Sequence, residues 1–484
     1  MTSNQLKDKP VKYANWLTEA NFDNCKLNRK AYGEFLIDYI TSENDGFVLN
    51  LNGQWGAGKT EFLKRTYTEL INRNHPTIYV DAWESDFCDS PLTVVTSELL
   101  NQLECFDSSI ISKSDKLKRL FGKLLKGSVI AGAGMATKYA LDEASVGVEA
   151  AKTLFEEDPK DFMNHLKSDY SDKVQAIKDI RNALGNLANE LNEKFEYKLP
   201  IVVLVDELDR CRPNYAIEML EVIKHFFTTE HFVFVVATDT NQLTKSIKAV
   251  YGDEFDSNQY LKRFFSRKAQ LAEPNIELYL DAIGVEDKLR EKGLSTLTPY
   301  PTDYSPFNKT TKWLSYIAKG YNLDIRSLDQ LIVKLEACVK TFAINYSKQS
   351  HLLNIPVLIT ALIEHDNNCD SFYKREDFTH VPTDLKSTYK IVNFNSHNGT
   401  NLQELIDISF KILTRATEQD RYNRTYICSS FTYDDFVRLR DSYQSESVML
   451  DFLSSALNVL DEEADSKLRW SDYKKVIELA GNLE

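Results

Sequence analysis

The sequence predicts an α/β fold: a doubly wound parallel sheet with a helical insertion, followed by a mostly α-helical C-terminal region. Three observations carry that prediction. The stretches "LPIVVLVDELDRC" (Leu199 to Cys211) and "HFVFVVATD" (His231 to Asp239) hold continuous apolar runs, the pattern of strands covered on both faces. Helical patterns separate the strand candidates, and such alternation implies a parallel sheet. After about residue 275 the long apolar strands stop and helical periodicity takes over.

Residues 1–27 read as a polar lead-in, and the main α/β domain as 28–275. "RKAYGEFLIDYI" is a short amphipathic helix. "GFVLNLNG" (Gly46 to Gly53) alternates apolar and polar and runs into a glycine-rich turn. Phe62, Leu63, Tyr67, Leu70 and Ile71 then recur near helical spacing. "TIYVDAW" (Thr77 to Trp83) is a second buried strand, and "PLTVVTSELLNQL" is a helix. A helical insertion spans about 106–195, ending in an amphipathic helix with Val174, Ile177, Ile180, Leu184, Leu187 and Leu191 on one stripe. Beyond the sheet, 276–345 is expected to form a helical lid. Residues 346–484 are expected to form a mostly helical domain, loop-rich over 366–400.

Net charge is −14, against the basic excess usual in proteins that wrap duplex nucleic acid. The seven cysteines include no CxxC pair, so neither a zinc site nor a disulfide framework is suggested, and a reducing, cytoplasmic setting is the expectation. The N-terminus is polar and unlike a signal peptide. The longest uncharged small-apolar stretch, Gly127 to Thr137, has eleven residues, short of the ~20 that a membrane-spanning helix needs. An insert of this kind leaves membrane association open without a transmembrane helix.

The chemistry sits in "GQWGAGKT", Gly53 to Thr60, which fits G-x(4)-G-K-[ST]. Glycines at Gly53, Gly56 and Gly58 let the backbone curl, so that successive N–H groups, with Trp55 and Ala57 among their residues, point at phosphate oxygens. The helix starting at Lys59 adds its positive end. Lys59 is expected to reach the β- and γ-phosphates of ATP, the Thr60 hydroxyl to ligate Mg²⁺, and Glu61, at the same helix start, to belong to the nucleotide-binding set. Downstream, Asp206 ends an apolar strand, where it would complete the metal shell with Thr60. Glu207, one residue on, can orient and deprotonate water, which favours hydrolysis over binding alone. Thr238 and Asp239, at the end of the next strand, are candidates to sense the γ-phosphate. A helix cap at Asp239 is the competing assignment.

Together the internal Trp55, the "DAW" at Asp81 to Trp83 and above all "DELDRCRP" (Asp206 to Pro213) resemble the KAP family of P-loop NTPases. "YLKRFF" (Tyr260 to Phe265) and "LDIRSLDQLI" resemble further family segments, the latter placing Arg326 at the family's arginine but lacking its proline. The resemblance covers roughly 28–340. It implies a P-loop NTPase sheet of the additional-strand, conserved-glutamate class, with a strand between the two motif strands. It also implies an ATP-driven conformational or assembly change in bacterial defence against phage or plasmids. Many family members carry transmembrane helices in the insertion; this sequence departs from them there.

Phosphoryl transfer needs a cation on the γ-phosphate oxygens. Arg210, Arg263, Arg267 and Arg326 are the candidates, Arg326 in cis and Arg263 or Arg267 from a neighbouring subunit of a homo-oligomer. "DRCRP" also has a structural reading, in which Asp209 pairs with Arg210 and Cys211 is a small buried residue. Three functions compete: an Mg²⁺-dependent ATPase, a nucleotide-binding switch or scaffold acting on a separate effector protein, and a nucleic-acid motor, which the charge disfavours.

Overall fold

The computed structural model describes residues 11–43, 46–88, 90–106, 119, 159–226, 228–296, 298–300, 309–346, 352–385, 389–391, 400–419, 422, 425–443, 449–454 and 468–482. The glycine/alanine stretch at 127–137 and most of the predicted insertion lie outside the described residues. The chain divides into two compact units, Met1–Glu273 and Pro274–Glu484.

The first unit is a five-stranded parallel sheet built from β1 (Phe47–Asn52), β2 (Thr77–Asp81), β3 (Ile201–Asp206), β4 (Phe232–Thr238) and β5 (Arg267–Gln270), in the order β2-β3-β4-β1-β5. Strand β4 therefore separates β1 from β3, the arrangement expected of the additional-strand class. Every residue of β3 and β4 is buried, as their unbroken apolar runs demanded. Burying each Val, Leu or Ile side chain there stabilises by about 1.5–3 kcal/mol.

Helices α1 (Lys30–Ser42), α2 (Lys59–Asn72), α3 (Pro91–Glu104), α4 (Pro159–Phe195), α5 (Pro213–Phe226) and α6 (Thr240–Tyr251) belong to this unit. Helix α4 has 37 residues and buries Ile180, Leu184, Leu187 and Leu191, the predicted stripe. Among the described residues no helix is long and apolar enough to cross a membrane.

Strand β5 is a departure from the sequence reading, which assigned no strand around Arg267. It is a four-residue edge strand with Arg267, Lys268 and Gln270 exposed, so no apolar run marks it. Its pairing comes instead from the β1 backbone, from Leu49↔Arg267 to Asn52↔Gln270.

The second unit is mostly helical, with α7 (Ile276–Ala282), α8 (Val285–Glu291), α9 (Thr310–Gly320), α10 (Ile325–Tyr346), α11 (Ile355–Asp366), α12 (Asp370–Lys374), α13 (Leu402–Leu413), α14 (Tyr433–Ser442) and α15 (Trp470–Gly481). Its apolar core collects Trp313, Leu335, Phe342, Leu358, Leu362, Phe410 and Tyr473. Short two-stranded ladders interrupt the helices, including an antiparallel pair of Arg415–Gln419 with Thr425–Ser429 that helical periodicity did not foretell.

Candidate active site

The C-terminal ends of β1, β3 and β4 supply the site. After β1 the chain turns through Gly53–Gly58 and enters α2 at Lys59. Two glycines are required by geometry. A Cβ at Gly53 would lie 3.2 Å from the Ala57 Cβ and 3.4 Å from the Lys59 Cγ, and Gly58 sits at φ +75°, where a side chain is strained. Gly58 is also the N-cap of α2, so no side chain caps the first helical N–H groups, and the start of a helix favours negative charge.

Lys59 is buried at 8% exposure. Its Nζ donates to the Gly53 carbonyl at 3.0 Å and the Gln54 carbonyl at 3.5 Å. The acid facing it is Asp209, whose Oδ2 lies 3.6 Å away. That same oxygen accepts the Trp55 indole N–H at 2.5 Å. Trp55 is otherwise 42% exposed. Arg29, buried beneath the loop, donates to the carbonyls of Ala57 at 2.7 Å and Ala272 at 2.9 Å.

Asp206 is fully buried. It accepts from the Tyr79 hydroxyl and from the Glu207 amide, both at 2.9 Å. Burial, and then the charge of Glu207, push its carboxyl up to about 6, while Thr60, Tyr79 and the Glu207 amide pull the other way. Glu207 takes a left-handed backbone at φ 59°, a conformation costing a non-glycine residue about 1–2 kcal/mol. The turn carries its carboxylate to α2, where Oε1 accepts from the Thr60 hydroxyl at 2.8 Å. Its Oε2 pairs with the Arg210 guanidinium, which in turn lies 5.8 Å from the Trp83 ring centroid.

Asp209 and Arg210 therefore do not pair, contrary to the structural reading of "DRCRP". They occupy a 3₁₀ turn, Leu208–Arg210, on which side chains three apart eclipse, so Arg210 meets Glu207 and Asp209 turns to the glycine loop. Cys211 is buried, as expected of a small apolar residue.

The remaining candidates lie as follows. Asp239 caps α6, accepting from Asn241 N at 3.0 Å and Gln242 N at 3.2 Å. The Thr238 hydroxyl donates to Asn50 Oδ1 at 3.0 Å, inside the sheet. Glu61 is exposed on α2 and pairs with Arg65 at 2.7 Å and Lys64 at 3.3 Å. Arg263 and Arg267 are exposed in the first unit, Arg326 in the second.

Sequence reasoning missed Arg29, Tyr79 and Asp209 as parts of the site. Tyr79 left a signal, since a tyrosine in a buried strand needs a partner for its hydroxyl. Arg29 left none, being one basic residue ahead of a helix. Among the described residues no cluster of three or more His, Cys, Asp or Glu could hold a metal ion, so a cation here would rely on Thr60, Asp206 and the nucleotide's own oxygens.

No curated protein matches the chain. Among solved structures, the Aeropyrum pernix ORC2 protein in its ADPNP–ADP complexes is similar at a TM-score of 0.30 and 12% identity, over 89% of this chain and 95% of that one. The profile of the KAP family P-loop domain matches residues 29–342, which hold the glycine loop, Asp206 and Glu207 at the end of β3, and all five sheet strands. With that match over more than half of its length, the chain belongs to the KAP family of P-loop proteins.

Proposed function

We propose that this protein is an Mg²⁺-dependent ATPase that couples ATP binding and hydrolysis to a conformational or assembly change. The observation carrying the proposal is Glu207: a carboxylate one residue past the buried Asp206, brought to the helix start that holds Thr60. The site's own features fit the nucleotide and its cation. Gly53 leaves a cradle that a Cβ would fill, Lys59 is a buried ammonium, and Thr60 and Asp206 form a hard oxygen donor set.

When bound, Mg²⁺ supplies charge neutralisation to the β- and γ-phosphates. Lys59 and the α2 N–H groups hold the phosphates. Thr60 and Asp206 hold the cation, and Glu207 orients water and takes its proton. ATP is preferred to GTP because the sequence has no Asn-Lys-x-Asp motif. Arg263 and Arg267, both exposed, are the arginines we assign to complete the site, from a neighbour in a homo-oligomer. Family membership extends the proposal to bacterial defence against phage or plasmids, exerted through a separate effector.

The pairing of Glu207 with Arg210 favours one second reading, a nucleotide-dependent switch with little turnover, because a carboxylate oxygen engaged by an arginine is not open to a water. The test is phosphate release with Mg²⁺ and after chelation, for wild type and Lys59→Ala. The ATPase reading expects release that both chelation and the substitution abolish. Nucleotide binding without release would leave the switch.

A further inference from the structure

We infer that Asp209 is a positioning residue that registers the glycine loop against the turn bearing Glu207. The inference rests on the ATPase reading above. Three contacts carry it. Asp209 Oδ2 lies 3.6 Å from Lys59 Nζ, and Asp209 is the acid within ion-pair distance of that ammonium among the described residues. The same oxygen accepts the Trp55 indole N–H at 2.5 Å, across 154 residues of sequence. The carboxylate is itself 1% exposed, and its other oxygen, Oδ1, is buried without a hydrogen-bond partner.

A buried carboxylate with one bare oxygen is costly, so its charge is retained for what Oδ2 does. Indole is the aromatic side chain whose polar atom is only a donor, which suits it to a carboxylate. Phenylalanine would lack the bond.

Asp209 lies two positions after Glu207, which caps the same short turn. Fixing Asp209 to Lys59 and Trp55 thus fixes the distance between the residue that holds phosphate and the residue that activates water. Proximity of this kind acts on the chemical step more than on binding. Removing the negative charge beside Lys59 also leaves the ammonium no less attractive to a polyphosphate. Asp209→Asn is therefore expected to lower kcat about tenfold while KM for ATP stays within about twofold.

The test uses the full chain with four proteins: wild type, Asp209→Asn, Trp55→Phe and the double variant. Trp55 is half-exposed, so Trp55→Phe keeps the fold even if Asp209→Asn does not. The expected results are a smaller kcat loss for Trp55→Phe and a double variant no worse than Asp209→Asn alone. The Trp55 emission, taken as wild type minus Trp55→Phe, is expected to differ from Asp209→Asn minus the double variant. A second arm measures equilibrium binding of mant-ATP, with affinity expected within about twofold of wild type for Asp209→Asn. Unchanged kcat and emission in Asp209→Asn would overturn the inference, and so would additive losses. A wild type that binds mant-ATP but releases no phosphate sinks the ATPase reading instead, and the Trp55 emission still decides whether Asp209 holds the loop.

Discussion

The two units treat buried charge in opposite ways. In the second, Glu364 and Arg375 are both fully buried, and every nitrogen and oxygen of the two side chains has a hydrogen-bond partner. Arg375 donates to Glu364 at 2.8 and 3.4 Å and to the Val381 carbonyl at 3.0 and 3.1 Å. Glu364 also accepts from the Thr383 hydroxyl at 2.8 Å. The guanidinium lies 3.6 Å from the Phe410 ring centroid and 5.0 Å from that of Trp470. In the first unit, by contrast, the buried charges are under-compensated. Asp206 carries a raised pKa, Asp209 keeps a bare oxygen, and Arg29 has carbonyl partners but no carboxylate among the described residues. A closed network makes a scaffold. Charge left without a full counter-charge around the glycine loop and the end of β3 makes a place for a charged ligand.

The largest expected effect is on the ligand side of that contrast. Lys59→Ala should lower turnover about 100-fold or more, measured as phosphate release, since a preorganised cation at developing charge is worth that much. Next comes the scaffold. Arg375→Met should cost about 3–5 kcal/mol in denaturant unfolding by leaving Glu364 buried and unpaired, and adding Glu364→Leu should recover most of the loss. Recovery failing in the double variant would mean that the network does more than neutralise itself.

Asp206→Asn should go the other way and stabilise the protein without Mg²⁺ at pH 7, by roughly 2–3 kcal/mol. The folded pKa, about 6, lies above the ordinary value of 3.8, so the burden on the fold grows as pH rises from about 4 and is fully present above about 6. As pH falls from 7 toward 4 the wild-type group takes up its proton in the folded state first, and the advantage of the variant should shrink. A melting-temperature gap that stays constant over that range would contradict the assignment. The smallest effect is at the α6 cap. Asp239→Ala should cost ~1 kcal/mol of stability and leave turnover near wild type. A large loss of turnover would restore Asp239 to the phosphate-sensing role.

What was legible in the sequence follows the same divide. The glycine loop and the Asp206-Glu207 pair were readable because their chemistry needs neighbours in the chain, and the apolar runs of β3 and β4 because burial on both faces forbids polar residues. Strand β5 was hidden by its exposed edge, where backbone pairing alone defines it. The partnership of Asp209 with Lys59 and Trp55 was hidden too, because adjacency suggested Arg210 while the pitch of a 3₁₀ turn decided otherwise. For Asp239 the sequence offered cap and sensor equally, and only the geometry of Asn241 and Gln242 showed the cap.

The central claim is that Glu207 activates water in a functioning hydrolase. Its most direct test is steady-state phosphate release by Glu207→Gln, with mant-ATP binding measured on the same preparation. Binding is expected to survive while release falls about 10²–10⁴-fold. Release equal to wild type, with binding intact, would contradict it.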